Sequence, residues 1–280
     1  MELGPGDDAA VVRAPDGRVV ATSDLLVQDR HFRLDWSGGY DVGRKAAAQN
    51  LADVAAMGAR PTGLLVGLGA PPETDVAWVE ALCDGLRDEC DLVGASVVGG
   101  DVVRAPLIVI AITALGDLAG ERPLTRSGAR SGDVVAVRGR LGFAAAGLAL
   151  LEAGAEGPAE LIAAHRRPQP PYDAGPEAVR LGATALLDVS DGLVQDLGHI
   201  ADASGVRIEL EGAALPVSAV LGPEGRHHAL TGGDDHAFAG TFPAGVPLPD
   251  RWRVVGRVTE GTGLVVDGVL YDRGGWDHFS

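Results

Sequence analysis

Short apolar runs alternate along this chain with longer stretches in which alanine and leucine recur at helical spacing. Residues 185–187 read as a buried strand ending at Asp188, followed by the polar turn Ser190-Asp191-Gly192 and an amphipathic run that reads as a helix. Near the N-terminus, residues 11–12 and 18–21 read as a hairpin around Pro15-Asp16-Gly17, its return strand ending in Thr22-Ser23-Asp24. Asp41 is expected to cap an alanine-rich helix reaching about Met57, with Gly58 and Pro61 stopping it. Residues 62–68 suit a strand, and Thr74 or Asp75 opens a helix through Cys90 with Trp78, Leu82 and Leu86 on its core stripe. Residues 95–98 form a strand delivering Gly99-Gly100-Asp101, and residues 107–115 a strand too uniformly apolar to show a solvent face.

The turn-rich stretch 117–130 marks a boundary. Beyond it, strands are expected at 133–137, 206–210, 237–242, 253–258 and 263–266, with helices at 141–153 and near Glu177. A proline-rich segment covers residues 165–171, and a loop runs from residue 211 to Leu230. Both halves mix strands and helices, which predicts an α/β (α+β) chain of two domains, 1–118 and 119–280, each a mixed sheet flanked by helices.

Composition narrows the functions available. The formal net charge of −16 argues against nucleic acid and against anionic membrane surfaces. No apolar run is long enough to span a membrane, and no signal-peptide pattern follows Met1, so a cytoplasmic location is expected. Cys83 and Cys90 lie a heptad apart on one helix, a spacing that suits buried thiols rather than a disulfide or a metal site. Lys45 is the single lysine and has no Ser or Thr after it, which excludes a Walker A loop. A nucleotide would have to be held by metal ions and arginines.

The acids are placed where such ions could be held. Asp7, Asp24, Asp101, Asp188 and Asp191 are expected at strand ends, and Asp53 on a helix face with Asn50 among small alanines. One such acid alone would be an N-cap or a solvated side chain. Recurring five times, beside Thr22 and Ser23 and free of sulfur, the pattern selects Mg²⁺ or Mn²⁺ over zinc. Arg126, in Thr125-Arg-Ser-Gly128, can offer a guanidinium to phosphate, and Gly100 can let phosphate approach backbone. His31 and His236 are single, so no strong general base stands out.

Eight ordered motifs also carry a resemblance. Gly6-Asp-Asp-Ala9, Thr22-Ser-Asp24, Asn50-Leu-Ala-Asp-Val-Ala-Ala-Met-Gly58, Val98-Gly-Gly-Asp101, Leu124-Thr-Arg-Ser-Gly128, Asp188-Val-Ser-Asp-Gly-Leu193, Gly232-Gly-Asp-Asp235 and Trp276-Asp-His-Phe279 resemble thiamine-monophosphate kinases. The resemblance runs nearly end to end. It implies the two-domain fold of the aminoimidazole-ribonucleotide-synthetase group, a homodimer built on the N-terminal halves, and transfer of the ATP γ-phosphoryl group to thiamine monophosphate. By motif it implies that Asp7, Thr22, Ser23, Asp24, Asp53, Asp101, Asp188 and Asp191 hold several Mg²⁺ ions. Gly100, Asp101, Arg126 and Ser190 would meet ATP, and His31, Asp234 and Trp276 the thiamine phosphate. Asp24, Asp53 and Asp101 would act in catalysis through the metal. Two departures stand out: Asp234 replaces the family's usual Glu, and the family's helix ahead of Gly6-Asp-Asp8 is missing. The alternatives are another ATP-dependent enzyme of the same fold group, such as a purine-synthesis synthetase, or a non-catalytic sensor of nucleotide or thiamine phosphate. A selenophosphate synthetase would need a reactive N-terminal Cys, which is absent.

Overall fold

The computed structural model describes residues 14–271, so Asp7, Asp8 and Trp276 lie outside the described residues. The chain forms two compact units, one holding most residues up to Glu121, the other Arg122 onward together with Ala56–Gly58.

In the first unit, strands β1 (Val20–Val27), β2 (Arg60–Ala70), β3 (Ser96–Arg104) and β4 (Val109–Asp117) make one sheet in the order β1-β4-β2-β3. Helices α1 (Gly39–Ala56) and α2 (Val76–Asp91) belong to the same unit. The central strand β4 runs antiparallel to both β1 and β2, and its residues alternate between buried and half-buried. Ile110, Ile112 and Ala114 join Leu26, Leu64 and Leu68 in a core against the helices. The other face carries Leu25, 53% exposed, and Leu65, 40% exposed, in line with Ala111 and Thr113.

Two expectations are corrected here. Thr22, Ser23 and Asp24 lie inside β1, and Asp101 inside β3, not at strand ends. The reason is pairing: β1 is held by β4 through Val27, so a polar stretch does not end the strand. Asp41 sits in the first turn of α1 rather than at its cap, and Asp75 caps α2 through the Ala77 N–H. Of the two thiols, Cys90 is buried and its pKa is pushed up to about 12, mainly by burial, whereas Cys83 is exposed.

The second unit holds a seven-stranded mixed sheet. Its strands are β5 (Val134–Arg138), β6 (Ala185–Val189), β7 (Arg207–Leu210), β8 (Ala237–Phe242), β9 (Arg253–Thr259), β10 (Gly263–Val266) and β11 (Val269–Leu270), in the order β11-β10-β7-β9-β5-β8-β6. Helices α3 (Phe143–Glu152), α4 (Ala159–Arg166), α5 (Ala174–Arg180), α6 (Leu193–Ser204) and α7 (Gly225–Thr231) accompany it. The apolar stripe of α6, with Leu193, Leu197 and Ile200, joins Val135, Leu187, Ile208 and Val255 in one core cluster. α4 and α7 are elements that the apolar pattern does not announce. They have eight and seven residues, too few turns for a periodic stripe to stand out.

Candidate active site

Within the first unit, β1 alternates its side chains between faces, which sorts the three oxygen residues. Thr22 and Asp24 point to α1: the Thr22 hydroxyl donates to Asp53 Oδ2 at 2.8 Å, and Asp24 Oδ2 accepts from Gln49 Nε2 at 3.2 Å. Asn50, fully buried, accepts the Asp24 backbone N–H at 3.1 Å and donates its own amide to the Ala46 carbonyl at 3.0 Å. One helix face therefore grips β1 through Gln49, Asn50 and Asp53. Ser23 takes the opposite face and donates to the Ile112 carbonyl at 2.8 Å.

Asp101 is paired in register with Gly67, whose own open side meets Ala111. That register puts Asp101 on the face of Ser23, at the far edge of the sheet, about 14 Å from β1 by strand spacing. Its Oδ1 accepts from the neighbouring Val102 N–H at 2.9 Å. Thr22, Asp24 and Asp53 are thus brought together, while Ser23 and Asp101 are not part of that group. Gly100 has a packing reason of its own, since a Cβ there would stand 2.0 Å from the Val66 carbonyl oxygen. His31 lies in the turn after β1, and its Nδ1 accepts the Val27 N–H at 3.0 Å, which leaves any ring proton on Nε2.

In the second unit, β6 delivers Asp188 at its end, 8% exposed, where Oδ2 meets His236 Nδ1 at 2.9 Å. The next three residues, Ser190, Asp191 and Gly192, all aim their backbone N–H groups at Asp196 Oδ2, each at 3.0 Å. The loop before β8 closes over this turn. Asp234 N–H donates to the Ser190 carbonyl at 2.8 Å, and His236 N–H to the Val189 carbonyl at 3.0 Å. The approach is so close that a Cβ on Gly233 would stand 2.3 Å from the Ser190 oxygen. Asp234 and His236 both hold left-handed backbone, with φ of 64° and 51°, a strained state for non-glycine residues that the surrounding bonds maintain. Asp235 turns away and accepts the Gly142 and Ala144 N–H groups at the start of α3.

The electrostatics of this turn follow from its crowding. Burial, then the nearby negative charge of Asp188, push the Asp196 carboxyl up to about 7, against the pull of the N–H groups it accepts. Burial likewise pushes Asp235 up to about 7, opposed by its two N–H donors. Arg126 does not join the group by its backbone. Its carbonyl accepts the Ser204 hydroxyl at 3.0 Å, at the opposite end of α6 from Ser190, and α6 spans about 18 Å over its twelve residues. Among the described residues, no three carboxylate, imidazole or thiol side chains stand together closely enough to hold a metal ion unaided.

Gln49, Asp196 and the His236–Asp188 contact are absent from the reading of the sequence. Asp196 had a signal available: it interrupts the apolar stripe of α6 between Leu193 and Ile200. An acid at a core position needs partners, and these are backbone groups that side-chain patterns do not display.

Residues 6–118 match the family model of AIR synthase related protein, N-terminal domain. The fold is accordingly of the AIR-synthase-related class. A thiamine-monophosphate kinase of Mycobacterium tuberculosis is 52% identical over 287 residues, covering 99% of this chain and 86% of that protein. One of Escherichia coli (strain K12) is 39% identical, covering 100% of this chain and 93% of the relative. The solved structure described as AaThiL complexed with AMPPCP and TMP superposes with a TM-score of 0.89 at 35% identity, covering 98% of this chain and 91% of that one. The chain belongs to the thiamine-monophosphate kinase family.

Proposed function

We propose that this protein transfers the γ-phosphoryl group of ATP to thiamine monophosphate, giving thiamine diphosphate and ADP. The observation that carries the reading is the end-to-end relation to thiamine-monophosphate kinases, 52% identical to one of them over 99% of this chain. The nucleotide analogue and TMP named for the AaThiL structure agree with it.

The donor set fits magnesium because it consists of carboxylate and hydroxyl oxygens with no sulfur. Magnesium in kinases is held by one or two carboxylates and completed by substrate phosphates and water, which is why no ready-made cage of three acids is needed. Thr22, Asp24 and Asp53 would hold one ion in the first unit, and Ser23 and Asp101, on the other sheet face, would have to serve different ions. Asp7 would be a further ligand, and Asp188 and Asp191 would act in the second unit. When bound, the metal neutralises charge on the transferring phosphoryl group. The chain itself positions. Gly100, Asp101, Arg126 and Ser190 would meet ATP, with Ser190 limited to its hydroxyl because its N–H serves Asp196. His31, Asp234 and Trp276 would recognise the acceptor, Trp276 offering a π face to the thiazolium cation. No general base is required, since a phosphate monoester with second pKa about 6 already presents an anionic oxygen at neutral pH.

The functional protein is a cytoplasmic homodimer in this reading. No described helix is long and apolar enough to cross a membrane. The sheet face of the first unit that exposes Leu25 and Leu65, beside Ser23, Thr113 and Asp101, would be the surface that meets a second copy. The domain roles follow: residues 1–118 carry metal, ATP and dimer contacts, and 119–280 nucleotide and acceptor contacts.

The test is turnover with ATP, Mg²⁺ and thiamine monophosphate, resolving products by chromatography. Stoichiometric ADP and thiamine diphosphate are expected. ADP formed without the diphosphate, or no consumption of thiamine monophosphate, refutes the reading. Trp276→Ala should raise KM for thiamine monophosphate several-fold and leave KM for ATP nearly unchanged; a parallel rise in both would make Trp276 a structural anchor.

A further inference from the structure

In α/β sheets the backbone N–H groups between a strand end and the following helix are commonly left for a ligand's phosphate. The β6–α6 turn has that form, yet its donors are taken. Ser190, Asp191 and Gly192 direct all three N–H groups to a single oxygen of Asp196, each at 3.0 Å. Asp196 comes from the first turn of α6, is 2% exposed, and lies between the core residues Leu193, Leu197 and Ile200. A carboxylate buried in that company has no solvent to return to, and its hydrogen bonds to the turn are its compensation.

We infer that Asp196 is a positioning residue: an internal hydrogen-bond acceptor seated where such a turn would accept a phosphate, setting the directions in which Ser190 and Asp191 present their side chains. With three successive N–H groups converging on one point, little backbone freedom is left in the turn. The loop before β8 fixes the other side, through the Asp234 N–H on the Ser190 carbonyl and the close approach of Gly192 to the Thr231 carbonyl. Removing the carboxylate frees only the inner side, so the turn would stay attached but lose its direction. The inference rests on the proposed function in taking Ser190 and Asp191 as nucleotide-facing; the backbone geometry stands apart from it.

Two variants and two measurements test this. Asp196→Ala removes the acceptor, and Asp196→Asn keeps an oxygen of the same size while removing the charge. In Asp196→Ala, amide hydrogen exchange at residues 190–192 should accelerate about tenfold or more relative to α6 itself. Its kcat should fall about tenfold or more while KM for thiamine monophosphate stays within about threefold, as expected when a reacting group is misaligned and substrate affinity is kept. Asp196→Asn should keep slow exchange and a kcat within about threefold of wild type. Unchanged exchange in a folded Asp196→Ala protein overturns the inference. So does a loss of stability with kcat per folded molecule intact. If Asp196→Ala does not fold, Asp196→Asn decides: slow exchange with kcat lost would assign the effect to charge and overturn the positioning role. A wild-type protein that consumes no thiamine monophosphate would refute the functional reading, and the exchange measurement would still judge Asp196.

Discussion

Gly43→Ala tests how tightly the frame of the first unit holds its site residues. A Cβ at Gly43 would stand 2.2 Å from the Leu82 carbonyl oxygen and 2.9 Å from the Leu86 nitrogen. The crossing is reciprocal, since a Cβ at Gly85 would stand 2.2 Å from the Tyr40 carbonyl oxygen. α1 and α2 therefore meet backbone to backbone, and one methyl group falls about 1 Å short of ordinary contact distance. No flexible side chain can yield there, so the helices themselves must separate, over the buried residues Ala46, Ala47, Leu82 and Leu86. Overpacking of this kind costs about 1–3 kcal/mol, and backbone on backbone argues for the upper end. Alanine returns about 1 kcal/mol through helix propensity, leaving a net loss of about 2 kcal/mol. Gly198→Ala is the matched control: it lies within α6 with nothing within 4 Å of the added atom, so propensity acts alone and should stabilise by about 0.5–1 kcal/mol. Urea denaturation followed by circular dichroism measures both. Because α1 also carries Gln49, Asn50 and Asp53, the folded Gly43→Ala protein should lose about tenfold or more in kcat. A Gly43→Ala protein as stable as wild type, or a destabilised Gly198→Ala, would refute the packing account.

Asp53→Asn keeps an acceptor for the Thr22 hydroxyl and removes the charge, so the fold should persist while kcat drops about 100-fold; normal turnover at saturating Mg²⁺ contradicts a metal role. Glu177→Ala strips a buried acceptor from Arg138 at 2.6 Å and from Trp252 at 2.9 Å, and because Arg138 keeps its pair with Asp173 it should destabilise by about 1–3 kcal/mol. Hydrogen bonding from Arg251, aided by Trp252 and Arg138, outweighs burial and holds Glu177 below its ordinary value of 4.5. Its contribution is thus present above 4.5 and lost as pH falls through the lower folded-state value, so denaturation at pH 7 and in acid should show the gap to wild type narrowing in acid. Mg²⁺ with a non-hydrolysable ATP analogue should raise Tm by mass action, about 2.7 kcal/mol at a hundredfold excess over Kd. Monovalent salt at matched ionic strength should do much less, and equal shifts from both would leave no specific cation site.

What could be read in the sequence was whatever leaves a periodic or compositional trace. The α1 face that carries Asn50 and Asp53 was legible because both residues break an alanine stripe, and both face β1. The β6 strand and its polar turn were legible because an apolar run stops at Asp188. Asp101 and Thr22–Asp24 were misplaced to strand ends because neighbouring strands, not their own residues, extend β1 and β3 beyond the polar positions. The split between Thr22, Asp24 and Asp53 on one face and Ser23 and Asp101 on the other follows from register, which a single strand does not display.

The turn after β6 bears on why acids would dominate the phosphate site of the proposed function. A chain with one lysine, Lys45, buried in α1, has little ammonium charge to offer a triphosphate. Its other resource, the open N–H groups ahead of α6, is committed to Asp196. In the proposed function phosphate charge would then be met by arginine and by metal, and the metal by carboxylates. Asp196 points inward and takes the donors that an incoming phosphate would otherwise compete for. Asp188 is held at the buried end of β6 by His236 Nδ1 at 2.9 Å, and Asp191 stays half-buried in the turn. One turn thereby separates two uses of the same side-chain chemistry. Asp196 organises the backbone, and in the proposed function Asp188 and Asp191 would present negative charge to the cation that accompanies the nucleotide.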